Sequence, residues 1–128
     1  MSRCFVVAAA QMGPVTRDEP RASAVARMVA LMEQAQARGA RLVVFPELAL
    51  TTFFPRWWME DATELDAFFE RAMPSPETRP LFDGARRLGV GFHLGYAELT
   101  QEGRRFNTAI LVGPDGAILG TYRKIHLP

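Results

Sequence analysis

Lysine is nearly absent from this chain. Of its 15 basic residues only Lys124 is a lysine; every other one is arginine. Cysteine is equally scarce. One residue, Cys4, excludes an internal disulfide framework. Two histidines, His93 and His126, stand far apart with no cysteine beside either, so no zinc-type ligand set is present and no metal is expected. No glycine-rich phosphate loop exists: Gly89-Val90-Gly91 has no following glycine and begins a strand. Charge of one sign is missing too. Fifteen basic residues face 14 acidic ones, scattered along the chain, which points away from nucleic acid and from an anionic membrane surface. No apolar run is long enough to span a bilayer. The run Phe5 to Ala10 has the look of a short signal segment, but Gln11-Met12-Gly13-Pro14 follows without a small-residue cleavage site. A buried first strand and a cytoplasmic protein are the expectation.

What is present starts with that single lysine. A surface cation can be either basic residue, but a site needing a compact ammonium cannot accept a planar guanidinium. Lys124 stands in Tyr122-Arg123-Lys124-Ile125-His126-Leu127-Pro128. Chance in an arginine-biased genome is the plain alternative. A second feature favours chemistry: Val43-Val44-Phe45-Pro46-Glu47-Leu48 puts a carboxylate at the end of a very apolar stretch. Burial there raises a carboxylate's pKa and suits a general base, whereas a surface glutamate after a strand end reads the same way locally.

The chain is one domain long and, at 48% hydrophobic, buries roughly two-thirds of its unfolded surface. Phe5 to Ala10 is an unbroken apolar run, which predicts a strand buried on both faces. Thr16 and Glu19 have capping-box spacing, and Val25, Met28, Met32 and Ala35 recur at helical spacing up to Gly39, a C-terminal cap. Leu42 to Phe45 is a second strand, and strand–helix–strand over this length reads as a parallel βαβ unit. Glu47 then follows the carboxyl end of a parallel strand, where α/β proteins place their chemistry. Phe53, Phe54, Trp57 and Trp58 surround Pro55, lining a pocket or covering a sheet or subunit contact. A helical stripe of Leu65, Phe68, Phe69 and Ala72 follows. Ser75-Pro76 predicts a further helix start, and Gly89 its stop. Val90 to Leu99 alternates as a strand in which Gly91 and Gly95 invite close packing against the backbone. Phe106 to Val112 and Ala117 to Tyr122 are strands joined by the turn Pro114-Asp115-Gly116.

Lys124 suits stabilisation of a developing oxyanion, or is a strand-end lysine reaching for water. His126 suits a substrate carboxylate or a structural role. His93 reads as core packing, and Cys4 as a small buried hydrophobe.

With these residues in place, the chain resembles the nitrilase superfamily, the carbon–nitrogen hydrolases. The matching runs are Val43 to Leu48, Arg105-Phe106-Asn107-Thr108-Ala109-Ile110 and Tyr122 to Leu127. Within it, Glu47 to Trp57 and Gly95-Tyr96-Ala97-Glu98-Leu99 look most like the N-carbamoyl-D-amino-acid amidohydrolases. The resemblance covers residues 1–128 and implies an α/β fold, the αββα sandwich, here its N-terminal part as one incomplete domain with a mixed sheet and flanking helices. It implies a homo-oligomer, a small-molecule amide or carbamoyl substrate, and a Glu-Lys-Cys triad without metal or cofactor. In that triad Glu47 is the base, Lys124 the oxyanion stabiliser and a cysteine the covalent nucleophile. His126 matches a position near the substrate carboxylate. The implied products are the D-amino acid, carbon dioxide and ammonia. Another amidase or a nitrilase, or a non-catalytic α/β module, are the alternatives. The family nucleophile lies downstream of the lysine, and Cys4 is at the wrong end to replace it. The expectation is that these 128 residues alone are inactive and poorly soluble, with uncovered sheet edges.

Overall fold

The computed structural model describes residues 2–127. The element order is β1 (Val7–Ala9), α1 (Arg21–Ala37), β2 (Leu42–Val44), α2 (Ala62–Asp66), α3 (Arg79–Leu88), β3 (Gly91–Leu99), β4 (Arg105–Val112) and β5 (Ile118–Arg123), with a short 3-10 turn at Phe54–Arg56. The strands form one sheet in sequence order; β1, β2 and β3 run parallel, β4 runs antiparallel to β3, and β5 runs antiparallel to β4. This is the α/β architecture with a mixed sheet that the sequence predicts.

The core lies on one face of the sheet. Val43, Phe92, Leu94, Ile110 and Val112 point from β2, β3 and β4 toward Val25, Met28 and Met32 of α1 and Leu81, Phe82 and Ala85 of α3. Phe92 is its centre, meeting Phe82 edge-on at 5.3 Å and Phe45 at 6.2 Å. Phe45 is thereby anchored two residues before Glu47. Fully burying a side chain of this size contributes about 2–3 kcal/mol. The alternate residues Val7, Val44, His93, Leu111 and Tyr122 point to the other face, away from α1 and α3.

Four local expectations change. β1 is not buried on both faces: Phe5 and Val7 are exposed, because β1 is an outermost strand and the helices cover one side only. Cys4 is likewise exposed rather than packed. The Thr16–Glu19 pair closes a turn before the helix instead of capping it: Glu19 N–H donates to the Thr16 carbonyl, and its carboxylate accepts from Thr16 N–H, Ser23 and Arg27. Finally, the stripe from Leu65 to Ala72 is helical only through Asp66. Glu70 N–H donates to the Ala97 carbonyl at 2.7 Å and Leu99 N–H donates back to Glu70 at 2.9 Å. That strand-like bridge to β3 cannot coexist with a continuing helix.

Ser75 and Thr78 exchange side-chain and backbone hydrogen bonds as a reciprocal cap, one turn before α3 begins at Arg79. Gly89 ends α3 at φ 65°, and Gly116 turns β4 into β5 at φ 78°. Among the described residues no helix is long and apolar enough to cross a membrane.

Candidate active site

Glu47 sits on a turn that leaves the carboxyl end of β2. Phe45 N–H donates to the His93 carbonyl at 3.0 Å, and Ala49 N–H donates to the Gly95 carbonyl at 3.1 Å, so the turn is pinned to β3 on both sides of Glu47. Between these pins Leu48 adopts φ 50°, a conformation that costs a branched side chain of order 1–2 kcal/mol. Burial of Leu48 against Phe54, Phe68 and Ala97 offsets that cost. Gly95 is required by the same approach. A Cβ there would stand 3.3 Å from the Glu47 Cα and 3.5 Å from the Leu48 nitrogen. The close backbone contact expected at this glycine is therefore with the turn that carries Glu47.

Lys124 arrives from the far side of the sheet. Thr108 pairs with Arg123, and Lys124 N–H donates to the Asn107 carbonyl at 2.8 Å, which continues the β4–β5 ladder by one residue. Asn107 and Lys124 are thus opposite one another with side chains on one face. Both reach Glu47. Lys124 Nζ donates to Oε1 at 2.9 Å, and Asn107 Nδ2 donates to the same oxygen at 2.7 Å. Among the described residues Oε2 takes part in no hydrogen bond, which leaves one carboxylate oxygen free to accept a proton.

The electrostatics reverse the expectation for Glu47. Its pKa is held below the usual carboxylate value, first by the Lys124 ammonium and then by Asn107, both of which outweigh desolvation. The reason is exposure: the Glu47 and Lys124 side chains are 47% and 38% accessible, so little burial opposes the donors. Glu47 is ionised at neutral pH and ready to receive a proton, at the expense of basicity. Asn107 is the residue that sequence reasoning passed over. It lay inside a motif already singled out, two positions from Arg105 and on the face of β4 that meets Glu47, but side-chain amides carry no charge signal of their own.

The family model for carbon-nitrogen hydrolases matches residues 6–128. The chain belongs to the carbon-nitrogen hydrolase family. Curated hydrolases similar to it include an omega-amidase of Danio rerio, 30% identical over 107 residues covering 84% of this chain and 36% of the relative. A nitrilase of Pyrococcus abyssi is 42% identical over 100 residues, covering 76% and 35%. An N-carbamoylputrescine amidase of Arabidopsis thaliana is 31% identical, covering 81% and 33%. The chain spans about a third of the length of these relatives. In structure, the carbon-nitrogen hydrolase of Helicobacter pylori G27 superimposes with a TM-score of 0.77 at 24% identity, over 97% of this chain and 40% of that one, which establishes the fold.

On the hydrolase scaffold the remaining candidates fall apart spatially. Cys4 precedes the amino end of β1, whereas Glu47 follows the carboxyl end of parallel β2, so the two occupy opposite ends of the sheet. His93 lies half-buried on the sheet face turned away from α1 and α3, outside the core cluster, with its Nδ1 unpaired. His126 is exposed, and Leu127 rather than His126 lines the cavity beside Glu47; Pro128 lies outside the described residues. That cavity, about 260 Å³, is lined by Phe53, Phe54, Phe69 and Leu127, with Arg105 among its few polar members. The aromatic stretch therefore divides: Phe53 and Phe54 face the cavity, Trp57 lies between Arg17 and Arg56, and Trp58 is 89% exposed.

Proposed function

We propose that this chain provides the base and the oxyanion stabiliser of a hydrolase of non-peptide carbon–nitrogen bonds, and that N-carbamoyl-D-amino acids are its substrates. The observation that carries the reading is the convergence of Lys124 and Asn107 on Oε1 of Glu47, with Oε2 left open. In this mechanism Oε2 takes the proton of a cysteine thiol as sulfur attacks the ureido carbon. The Lys124 ammonium stands against the negative charge that develops on the carbonyl oxygen. Glu47 returns the proton to the departing nitrogen. Water, deprotonated by the same carboxylate, then cleaves the thioester-like intermediate, and carbon dioxide, ammonia and the free D-amino acid result. Charge and nucleophile all come from side chains, so the scheme uses no cofactor and no metal.

The nucleophile in this reading is a cysteine downstream of Lys124, and residues 1–128 are the N-terminal part of a single larger domain. The sheet face turned away from α1 and α3, with Val7, Leu111 and Tyr122 exposed, supports a second layer there and assembly into a homo-oligomer. His126 binds the substrate carboxylate region only if the chain beyond it turns the imidazole inward. The cytoplasm is the proposed location. A different amide remains the alternative, favoured by the similarity to omega-amidase and N-carbamoylputrescine amidase.

Ammonia release from N-carbamoyl-D-phenylalanine tests the proposal. The purified 128-residue chain releases none. In a protein that joins this segment to its downstream cysteine, Glu47→Asp and Lys124→Arg each lower turnover by about 10²–10⁴-fold. Near-normal turnover in either variant removes the role assigned to that residue, and cysteine-dependent turnover by the short chain removes the downstream nucleophile.

A further inference from the structure

The cavity beside Glu47 is apolar almost throughout, yet one cation stands among its lining residues. Arg105 lies two residues before Asn107 on β4, so the two side chains share a face, with backbones about 6–7 Å apart. Its guanidinium is fixed. Nε donates to Oδ1 of Asp66 at 2.7 Å, Nη2 stands 2.6 Å from the same oxygen in an ion pair, and the group lies 6.0 Å from the Phe69 ring. Asp66 uses one edge of the fork. Nη1 makes no hydrogen bond among the described residues, and a guanidinium carries five N–H donors. Arg71 stands 4.0 Å from the other oxygen of Asp66. Two arginines therefore surround one carboxylate, and the local charge stays positive. At the far end of the cavity Glu47 is neutralised by Lys124.

We propose that Arg105 is a specificity-determining residue that anchors a carboxylate of the substrate, while Phe53, Phe54 and Phe69 receive an apolar side chain. The substrate class is then an amide or urea that carries a carboxylate a few bonds from the scissile carbonyl and an apolar substituent between them. Its identity as a substrate rests on the hydrolase reading above; the ligand preference rests on the cavity alone. Arg105 suits the task for two physical reasons. A planar fork already oriented by Asp66 loses little freedom on binding, and its open edge matches a carboxylate. A cationic substituent meets a like charge there, so amines are rejected.

The test is equilibrium binding with a matched pair of probes, N-carbamoyl-D-phenylalanine and phenethylurea, which is the same molecule without its carboxylate. Wild-type protein binds the acid at least tenfold more tightly, and added salt erodes that preference. Arg105→Gln abolishes the preference and leaves phenethylurea binding unchanged. Equal binding of the two probes by wild type, no measurable binding of either by folded protein, or a parallel loss of both in the variant overturns the proposal. Wild type alone decides if the variant fails to fold. Glu47→Gln separates this proposal from the hydrolase reading, because it removes the base and keeps the anchor. A preserved acid preference without turnover in any form of the protein sinks the hydrolase reading and leaves the anchor standing. Turnover that depends on Glu47 but ignores Arg105 does the reverse.

Discussion

Arg123 and Lys124 are neighbours in the chain, and each meets a glutamate on opposite faces of the sheet. Arg123 faces the helix side. Its Nε and Nη2 bind both oxygens of Glu98 at 2.8 and 2.7 Å, Thr108 donates to the same carboxylate at 2.7 Å, and the guanidinium stacks 4.3 Å from the Phe106 ring. Every oxygen of Glu98 is used. Lys124 faces the other side and binds a single oxygen of Glu47, which shares it with Asn107. The first pair is closed and geometrically saturated, as a bidentate arginine allows; the second is half open. Saturation suits a structural tie between β3 and β5. An unused oxygen suits a group that must exchange protons.

The comparison breaks most visibly on activity. If the proposed mechanism holds, Lys124→Met in a protein that joins this segment to the proposed cysteine lowers kcat by about 10³-fold, the scale of a lost oxyanion donor, whereas Arg123→Met keeps kcat within about tenfold and lowers the melting temperature instead. Parallel kinetics and thermal melts check this, and equal activity losses at the two positions erase the distinction. The next largest effect is at Gly95. Gly95→Ala puts a methyl group 3.3 Å from the Glu47 Cα and shifts the turn by a few tenths of an ångström. Turnover drops about tenfold to 100-fold with little change in substrate affinity, because a small misplacement of the proposed base is costly. Unchanged kcat means that the turn is not under positional control.

Two smaller effects probe the closed pair. Thr108 is fully buried and donates to Glu98. Thr108→Val removes that bond and lowers unfolding free energy by about 1 kcal/mol in a urea titration, with kcat unaffected. The acid limb of stability separates the pairs last. Glu98 and Glu47 both have folded pKa values below the ordinary 4.5, Glu98 chiefly through Arg123 and Glu47 chiefly through Lys124. A carboxylate with a depressed folded pKa stabilises the fold above its unfolded pKa, and that contribution is lost as pH falls through the folded value. Stability therefore declines below about pH 4.5. Glu98→Gln flattens this decline more than Glu47→Gln, since Glu98 is the less exposed and the more fully bonded of the two. Denaturation curves between about pH 2 and 6 measure it; identical slopes in the two variants count against the ranking.

Much of the fold was legible because local rules govern it. Gly39 and Gly89 end their helices at positive φ, and Asp115 Oδ1 accepts from Ala117 N–H in the expected turn. The period of α1 was legible in Val25, Met28, Met32 and Ala35, all buried. The misread features all depend on distant partners. The helical stripe after Asp66 loses to the Glu70–Glu98 bridge, and the exposure of Phe5 and Cys4 depends on which face the helices cover. Glu47 was found from its apolar approach, but the sign of its pKa shift needed Lys124 and Asn107, each remote in sequence.

The alternation of a strand is a property of sequence alone, so Arg123 and Lys124 had to point to opposite sides wherever β5 went. Which glutamate each would meet was decided only in three dimensions. The β4–β5 register sets Lys124 against Asn107, and the Gly95 contact brings the Glu47 turn over the same face. A side-chain period of two is written in the covalent chain, whereas register and approach are settled by pairings between residues that the sequence keeps far apart.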